Sequence, residues 1–576
     1  MVFGVAQQGS QSGAQRFATL ELALAEESQI TAKFGVRSPT SFDTLLALRE
    51  RDDMPATVAL YQTLRQQQVA LPPYATAAAA EAYLVLHQPE RAVALLHPLL
   101  PARAAARGEL KLDAAITLAY ALLESNQPDD AIALIDQLLA ATPQRAHRGL
   151  AGIEHANPDY LRLAVQAVLF RIHAQRLDDA QQRLLGLQAL APFSSDVRQA
   201  SASLHNARDH RHAAMDEYRL MLVDHPDSID AAIGKGEVLL ALNATHAASL
   251  VLKDLQAGEP DQRTVRHLAA SVQRRRRPVL HAGLLVGHGG AAAGAESVFD
   301  ATFNSAQLDW TDAADLRAFG HWSRASGGLR QAVAAGGEAD TAARNRLGAG
   351  LTAASPLLSL QIELDRADGT ARRTGVALGL ASSGSDQWQL ASSFDSNLNT
   401  LSSATYRAFV TARQWQSAAV WSDNEARKAG LEMVATDFSD TNRRRAARLW
   451  WQQRWFSSPQ VQLDTTLSLA AARNSKLSTP YFNPANEREV AVATKLEWRT
   501  WQRYQRSFRQ RLVAYVAQYR QQGFGSAAAA ELHAEHEWQI EEGFGLTLGL
   551  GHGFHPFDGV REHRRYGYLN INWIIQ

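Results

Sequence analysis

The sequence of 576 residues contains no cysteine, which excludes a disulfide-stapled fold, a cysteine-based zinc site and a cysteine nucleophile. It also has no excess of charge of either sign, because 58 basic residues balance 58 acidic ones. A general electrostatic attraction to nucleic acid is therefore not expected. Nor does the chain contain a run of about 18 apolar residues, the length that a membrane-spanning helix needs.

The common catalytic motifs are missing as well. The sequence contains neither G-x-S-x-G nor H-E-x-x-H, no phosphate-binding P-loop and no dinucleotide-binding fingerprint. The segment HAEHEW holds His533 and His536 three positions apart, and on a strand this spacing places them on opposite faces, which disfavours a shared metal. We therefore expect no catalytic residues, no metal and no cofactor, and we predict that the protein is not an enzyme.

What the sequence does contain falls into two halves. A chain of this length exceeds what one hydrophobic core usually serves, so at least two domains are expected. Alanine and leucine at helical spacing dominate before the segment SVQRRRRPVL, whereas glycine, serine, tryptophan and alternating segments dominate after it. We predict a helical domain over residues 1–273, a basic linker over 274–278 and a second domain over 279–576. The arginines of the linker are either simply solvated or lie near lipid phosphates.

The first half has an internal repeat of 34 residues, the period of a tetratricopeptide repeat. Each unit has a small residue twelve positions before a proline and a bulkier residue eight positions before it. These triplets are Ala180, Leu184 and Pro192; Ala214, Tyr218 and Pro226; Ala248, Leu252 and Pro260; and, one unit earlier, Ala131, Ile135 and Pro143. Small residues let paired helices approach and proline ends the second helix. The repeat predicts a superhelix of helical hairpins that offers a binding face and implies no catalysis.

The second half alternates between apolar and polar residues with a period of two. In LLSLQIELDRADG, leucine and isoleucine alternate with Glu363 and Asp365, and in ELHAEHEWQIEE, Glu531, Glu535 and Glu537 share one face. Alternating segments of about ten residues separated by turns are typical of a transmembrane β-barrel, and the length predicts about 16 antiparallel strands. The final RYGYLNINWIIQ then closes the barrel. A soluble β-sandwich also alternates, but the charged polar face and the Trp and Tyr residues near strand ends favour the barrel.

Several strings in the last third resemble the poly-β-1,6-N-acetyl-D-glucosamine export porins of the PgaA/HmsH type. These strings are ATDFSDTNRRR at 435–445, TPYFNPANE at 479–487 followed by LEWRTWQRY, and HPFDGVREHRRYGYLNINW at 555–573. The family usually has Tyr where this chain has Phe557. The resemblance covers both halves, because helical repeats followed by a barrel is also the order of domains in that family.

The resemblance implies an outer-membrane porin with its repeats in the periplasm. Such porins pass partially deacetylated poly-N-acetylglucosamine, a biofilm exopolysaccharide, through the barrel, and the repeats bind the periplasmic deacetylase. Lumen carboxylates would attract the ammonium groups of the polymer while each contact stays weak. The lumen candidates by parity are Glu363, Asp365, Asp464, Glu497, Glu531, Glu535 and Glu537. The candidates by family motif are Asp437, Asp440, Tyr481, Phe482, Asn483, Pro484, Phe557, Asp558 and Gly559, of which the aspartates can alternatively cap turns.

Three other interpretations remain open from the sequence. A cellulose-type export porin has the same architecture, although a neutral polymer needs fewer lumen carboxylates. An adhesin or phage receptor would use the barrel only as an anchor. A soluble repeat scaffold with a β-sandwich would not enter a membrane at all.

Overall fold

The computed structural model describes residues 17–34, 38–99, 109–148, 153–289, 295–308, 314–328, 341–369, 372–382, 384–476 and 478–576. The helices of the first half run over Ala18–Phe34 (α1), Ser38–Glu50 (α2), Met54–Gln66 (α3), Pro73–Val85 (α4), Pro89–Leu96 (α5), Glu109–Glu124 (α6), Pro128–Ala141 (α7), Pro158–His173 (α8), Leu177–Leu190 (α9), Ser195–Ala207 (α10), Arg211–Asp224 (α11), Ile229–Ala241 (α12), Thr245–Gly258 (α13) and Arg263–Arg276 (α14). A two-stranded hairpin of Arg145–Arg148 (β1) and Ile153–Ala156 (β2) separates α7 from α8.

The predicted repeat is confirmed as a series of antiparallel helical hairpins. Its small residues lie on the second helix of each hairpin, and Ala180, Ala214 and Ala248 are completely buried. The bulkier Tyr218 and its counterparts are also buried, because they fill the groove that the small residue leaves open. Each repeat proline stands two positions beyond the end of its helix, as with Pro192 after α9.

The turn inside each hairpin repeats with the same period as the helices. Gln175, Asp209 and Asn243 are spaced by 34 residues and all have a positive φ, between 58° and 64°. A left-handed residue just after a helix reverses the chain and lets backbone N–H groups bond to the last carbonyls of that helix. Here the N–H of Asn243 donates to the carbonyl oxygen of Leu240 and that of Ala244 to Leu239.

Contacts divide the chain into two compact units. The first comprises Met1–Leu204, Glu217–Ile233 and Val251–Leu268, and the second comprises His205–Asp216, Gly234–Leu250 and Ala269–Gln576. The first unit contains a core of leucine, alanine and aromatic side chains, among them Leu64, Ile135 and Phe170, which are all fully buried. No helix in the described part of the chain is both long and apolar enough to cross a membrane.

Sixteen strands form a closed antiparallel barrel in the second unit. They run over Val279–His288 (β3), Ala295–Asn304 (β4), Asp315–Gly328 (β5), Thr341–Ala354 (β6), Leu358–Gly369 (β7), Arg373–Ser382 (β8), Trp388–Asp395 (β9), Ala412–Ser422 (β10), Arg427–Phe438 (β11), Arg443–Ser457 (β12), Val461–Asn474 (β13), Asn486–Arg503 (β14), Arg506–Gln521 (β15), Gly525–Glu541 (β16), Phe544–Phe557 (β17) and Val560–Ile574 (β18). We call the end at which β3 begins and β18 ends the near end, and the opposite end the far end.

The last strand closes the barrel, as the sequence predicts. β18 pairs with β17 on one side and with β3 on the other, in register from Arg565 opposite His288 to Ile574 opposite Val279. Closure removes every free sheet edge, which a β-structure in lipid requires. The structure therefore excludes the soluble β-sandwich interpretation.

The basic run differs from its prediction as a linker. Arg274, Arg275 and Arg276 form the last turn of α14 rather than an extended connection. Cations at a helix C-terminus interact favourably with the helix dipole, which explains their helical state. Pro278 disfavours the helical conformation of the residue before it, and β3 begins directly after it at Val279.

Candidate functional site

The wall of the barrel has an apolar outer face and a polar inner face. In β7, Ile362 and Leu364 are exposed on the outside, whereas Glu363 and Asp365 are buried on the inside. Strand pairing carries the same parity around the barrel, because paired residues point to the same side. The seven carboxylates predicted by parity all lie on this inner face: Glu363, Asp365, Asp464, Glu497, Glu531, Glu535 and Glu537.

Arginines on neighbouring strands hold most of these carboxylates. Arg346 on β6 bonds to Glu363 at 3.3 Å and to Asp365 at 3.1 Å, and it also reaches Asp395 on β9 at 2.7 Å. His321 on β5 is hydrogen-bonded to the same carboxylate oxygen of Glu363, at 2.9 Å. Burying a carboxylate without such partners costs free energy. These pairs therefore compensate for the burial and also reduce the negative charge of the wall.

A second arginine gathers three carboxylates from two strands. Arg511 on β15 bonds to Glu497 on β14 at 2.7 Å and to both Glu535 and Glu537 on β16. The register makes this possible, because Glu497, Arg511 and Glu535 are direct cross-strand partners in one row. On β13, Asp464 is held in the same way by Arg454 at 2.8 Å and Lys495 at 3.0 Å.

Tyrosines of the last strand complete this row. The hydroxyl of Tyr568 donates to Glu535, and that of Tyr566 donates to Glu531 at 2.6 Å. Both rings lie flat over β17 because glycines face them: a Cβ at Gly549 would come within 2.2 Å of the Tyr568 ring. The alternation of glycine and leucine in FGLTLGLGHG thus leaves room for tyrosine inside the barrel and leucine outside.

A loop from the far end folds into the lumen between β9 and β10. It spans residues 396–411 and contains a short helix, Ser403–Arg407 (α15). Arg344 on β6, completely buried, donates to the carbonyl oxygen of Leu398 at 2.7 Å and also bonds to Asn397. Its guanidinium lies 5.8 Å from the centre of the Tyr406 ring. These contacts fix the loop against the inner wall.

A second far-end loop, residues 475–485, brings the family-motif residues together. Asn442, completely buried, donates to Asn483 at 3.0 Å and to the hydroxyl of Tyr481 at 3.3 Å. The Tyr481 hydroxyl in turn donates to Asp440 at 3.0 Å. Burial of Tyr481, together with this carboxylate, raises the pKa of its hydroxyl to about 12, so it remains a hydrogen-bond donor at neutral pH.

The other motif residues have structural contacts in the same region. Phe482 packs edge-on against Phe557, with 5.0 Å between ring centres, and Pro484 is buried, its carbonyl oxygen accepting a hydrogen bond from Asn474. Asp558 and Gly559 form the tight turn between β17 and β18 with positive φ values of 49° and 78°.

The aspartates of the motifs do not all face the lumen. Asp437 lies on the outward parity of β11 and pairs with Arg445 at 2.7 Å and Arg413 at 3.4 Å. Asp440 accepts from the backbone N–H of Asn442 at 3.0 Å, and Asp558 bonds to Gln521. Asp440 thus accepts a hydrogen bond within its own turn, and Asp558 joins the β17–β18 turn to the end of β15.

The two inward loops border a cavity of about 510 Å³ inside the barrel. Thr400 and Thr405 of the first loop and Tyr481 and Phe482 of the second contribute to its lining. The two loops also contribute Leu401, Ser402 and Asn483. The rest of the lining comes from β11–β15 and β17: Glu432, Val434, Phe438, Arg444, Ala446, Ala447, Arg448, Ala470, Ala471, Ala472, Asn474, Glu487, Arg488, Glu489, Tyr519, His555 and Phe557. Its size falls in the range of ligand sites, about 300–1,000 Å³. Within the described residues no group of three or more His, Asp or Glu is placed to hold a metal.

The sequence predictions did not include several residues that line the cavity, although the alternation of apolar and polar residues places two of them on the inner face. Glu489 shares a face with Glu497 in EREVAVATKLEW, and Glu432 alternates with Leu431 and Met433. Arg344 and Asn442 had no such signal, because their roles depend on loops that return into the barrel.

Residues 324–574 match the model of a protein family described as the PgaA membrane beta barrel domain. Over 558 residues the chain is 25% identical to the poly-beta-1,6-N-acetyl-D-glucosamine export protein of Escherichia coli (strain K12), a match that covers 96% of this chain and 67% of that protein. A solved structure titled bacterial polysaccharide outer membrane secretin is similar at 22% identity and a TM-score of 0.47, covering 52% of this chain and 99% of its own. A tetratricopeptide repeat protein from Parabacteroides merdae is similar at 12% identity and a TM-score of 0.34, covering 47% of this chain and 98% of its own.

The match to the family model and the similarity to the export protein agree with the resemblance of the strings in the last third of the chain. They place the barrel in the outer membrane and the repeats in the periplasm, as the sequence predicts. Over residues 324–574 the barrel of this chain is similar to the PgaA membrane β-barrel family.

Proposed function

We propose that the protein exports partially deacetylated poly-β-1,6-N-acetylglucosamine through the outer membrane during biofilm formation. Polysaccharide export is supported by the similarity, over 96% of this chain, to a protein named for the export of that polymer. The named relatives are export proteins, and this chain is accordingly a transporter rather than an enzyme. The observation that carries the finer proposal is a closed barrel whose inner wall is rich in carboxylates and whose cavity is lined by aromatic rings.

The lumen chemistry suits a polymer that is neutral along most of its length and positive at intervals. Deacetylation converts an acetamido group into an ammonium group, which a wall with carboxylates attracts. Pairing with arginines, as at Arg511, weakens the pull of each carboxylate on a passing cation. Aromatic side chains such as Phe482 and Phe557 provide apolar surfaces along which sugar rings can slide.

We further propose that the helical repeats dock the periplasmic deacetylase that prepares the polymer. Stacked helical hairpins commonly bind proteins through extended surfaces. Exposed apolar side chains give this unit candidate anchors: Phe193 is 84% exposed after α9, and Val223 on α11 is 76% exposed.

Export is tested in a strain that makes the polymer but lacks the gene for this protein. The strain should accumulate deacetylated polymer in the periplasm, and the wild-type gene should restore polymer to the cell surface. The variant Glu531→Gln/Glu535→Gln/Glu537→Gln should restore less, whereas Asp368→Asn, which removes a carboxylate from the exposed end of β7, should restore as much as the wild type. Full export by the triple variant would contradict electrostatic guidance and favour a neutral polymer such as cellulose.

Deacetylase docking is tested by co-purification of the full chain with the deacetylase from cross-linked cells. Phe193→Asp and Val223→Asp should lower the recovery of the deacetylase. Leu22→Asp is the matched control, because Leu22 on α1 is also exposed, by 66%, but lies in a different part of the first unit. Equal recovery with all three variants would contradict docking at this surface.

A further inference from the structure

Two carboxylates that line the cavity differ from those described above that form ion pairs with arginine or lysine, which we call clamped. Glu432 on β11 accepts a hydrogen bond from the indole N–H of Trp450 at 3.0 Å, and Glu489 on β14 accepts one from the hydroxyl of Tyr515. Within the described residues neither forms an ion pair with Lys, Arg or His. Their hydrogen-bond partners are neutral, so no ion pair offsets either carboxylate at the lumen.

The ring of Trp450 reaches Glu432 because of a glycine. Gly430 faces Trp450 across the β11–β12 pair, and a Cβ at Gly430 would come within 2.4 Å of the indole. The indole therefore lies flat over β11 and directs its N–H at the carboxylate two residues further along. A neutral donor orients Glu432 without neutralising it.

Both carboxylates lie in one row that crosses four strands. Glu432 pairs with Arg448 on β12, Arg448 pairs with Ala470 on β13, and Ala470 pairs with Glu489 on β14. With strands about 4.8 Å apart, the row spans ~14 Å of the inner wall. We call Glu432, Arg448 and Glu489 the mixed-charge row.

Arg448 is the unusual member of this row. Its side chain is exposed to the lumen, and within the described part of the chain it makes no hydrogen bond and no ion pair. Three other arginines of the inner wall, Arg346, Arg454 and Arg511, bind carboxylates, and Arg344 is bound to the loop. Five donor N–H groups of Arg448 are thus available to a ligand.

The surroundings leave a ligand room to reach the row. Ala446, Ala470 and Ala472 line the cavity between the charged side chains. Because alanine side chains are small, they project little into the lumen and leave space for a ligand. Phe482 and Phe557 border the same cavity. The row therefore has donors, acceptors and apolar surface around one space of about 510 Å³.

We propose that the mixed-charge row is a binding site for a polymer that carries both ammonium and acetamido groups. Glu432 and Glu489 accept hydrogen bonds from ammonium groups, and Arg448 donates to the carbonyl oxygen of an acetamido group. This inference rests on the proposed function and deepens it, because it ties recognition to partial deacetylation. A fully acetylated chain would engage only Arg448, and a fully deacetylated chain would be repelled by Arg448 while it binds the two glutamates.

The test uses the purified full chain in a planar lipid bilayer, with β-1,6-linked hexamers of glucosamine that are fully, half or not acetylated. Each hexamer should interrupt the ionic current for a time that reports its residence in the pore. The half-acetylated hexamer should reside longest in the wild-type pore. Glu432→Gln/Glu489→Gln should shorten the residence of the two ammonium-bearing hexamers at least tenfold, and Arg448→Met should shorten that of the two acetylated ones several-fold.

Matched controls remove equivalent groups from exposed positions. Asp368→Asn/Glu541→Gln removes two exposed carboxylates, and Arg372→Met removes an arginine that is 72% exposed and pairs with Asp368. In both control pores each hexamer should reside as long as it does in the wild-type pore. Heat-modifiable migration of every variant in a detergent gel establishes that its barrel is folded.

Equal residence of ammonium-bearing hexamers in wild-type and Glu432→Gln/Glu489→Gln pores would overturn the proposal. So would an unchanged residence of acetylated hexamers in the Arg448→Met pore. The proposed function fails separately, if cells that carry the wild-type gene do not export the polymer, whatever the hexamers do in the bilayer.

Discussion

The loop of residues 396–411 should be released from the wall when Arg344 is replaced by methionine. Arg344 is completely buried and donates to the carbonyl oxygen of Leu398 at 2.7 Å and to the side chain of Asn397. Methionine keeps much of the volume but has no donor. Both acceptors on the loop then lose a charged partner in a place that water reaches poorly.

The size of the effect follows from the two lost bonds. A hydrogen bond to a charged group contributes about 1.5–3 kcal/mol, so Arg344→Met should weaken loop attachment by ~3–6 kcal/mol. Each 1.4 kcal/mol changes an equilibrium about tenfold, so the ratio of released to attached loop should rise by roughly 10²–10⁴. The hydrogen bond from Asn399 to Ser323 on β5 remains as a weaker attachment to the wall, and the hydrogen bond between Ser402 and Thr405 at the start of α15 keeps the loop itself ordered.

The assay is single-channel conductance of the full chain in a planar bilayer. Arg344→Met should show a larger mean conductance, with frequent steps between two levels as the loop detaches and returns. Arg372→Met is the matched control, because it removes the same charge from an exposed position beside the far end of β7. If folded Arg344→Met pores conduct like those of Arg372→Met, the loop does not narrow the channel and the reasoning is refuted.

Three further variants test other parts of the structure. Arg511→Met removes the cation that holds three inner carboxylates, so the reversal potential in a KCl gradient should shift toward that of a more cation-selective pore; an unchanged potential would contradict the pairing. Gly549→Ala puts a Cβ within 2.2 Å of the Tyr568 ring. This overpacking should reduce the stability of the barrel by about 1–3 kcal/mol, and so lower the temperature at which the folded band disappears from a detergent gel. Ala214→Leu overfills a fully buried position between paired helices, so the urea midpoint of the helical circular dichroism signal should fall while the folded band of the barrel keeps its temperature.

Periodicity explains why so much of the fold is readable from the sequence. An alanine such as Ala214 recurs every 34 residues because each hairpin must pack on the next, and a strand such as β7 alternates because it separates lipid from a wet lumen. Both patterns are local, so a window of the sequence contains all of the information. The side on which Glu363 or Glu535 lies follows from parity alone.

Pairing across strands is not local, and the sequence did not reveal it. Arg511 meets Glu497 and Glu535 because three strands adopt one particular register, and a shift by one residue would turn every side chain to the other face. The parity of the seven carboxylates could therefore be read from the sequence, but the arginines that hold most of them could not be assigned. The inward course of the loop held by Arg344 has no sequence period at all.

This division between clamped and unclamped carboxylates has a consequence for transport. A pore that moves a long polymer must attract it without holding any unit firmly, because every bound unit has to leave for the next to advance. Carboxylates paired with arginine, such as Glu537 and Asp464, offer a passing cation only a weak residual field. Glu432 and Glu489 have neutral partners, as Glu531 has in Tyr566, so a cation at the row meets carboxylates that no ion pair weakens, and Arg448 between them repels a second cation that comes too close. Because the two glutamates attract ammonium groups and Arg448 repels them, a chain with an ammonium group on every sugar binds to this row less tightly than the glutamates alone would allow. A chain with spaced ammonium groups can place an acetamido group beside Arg448 and avoids this repulsion.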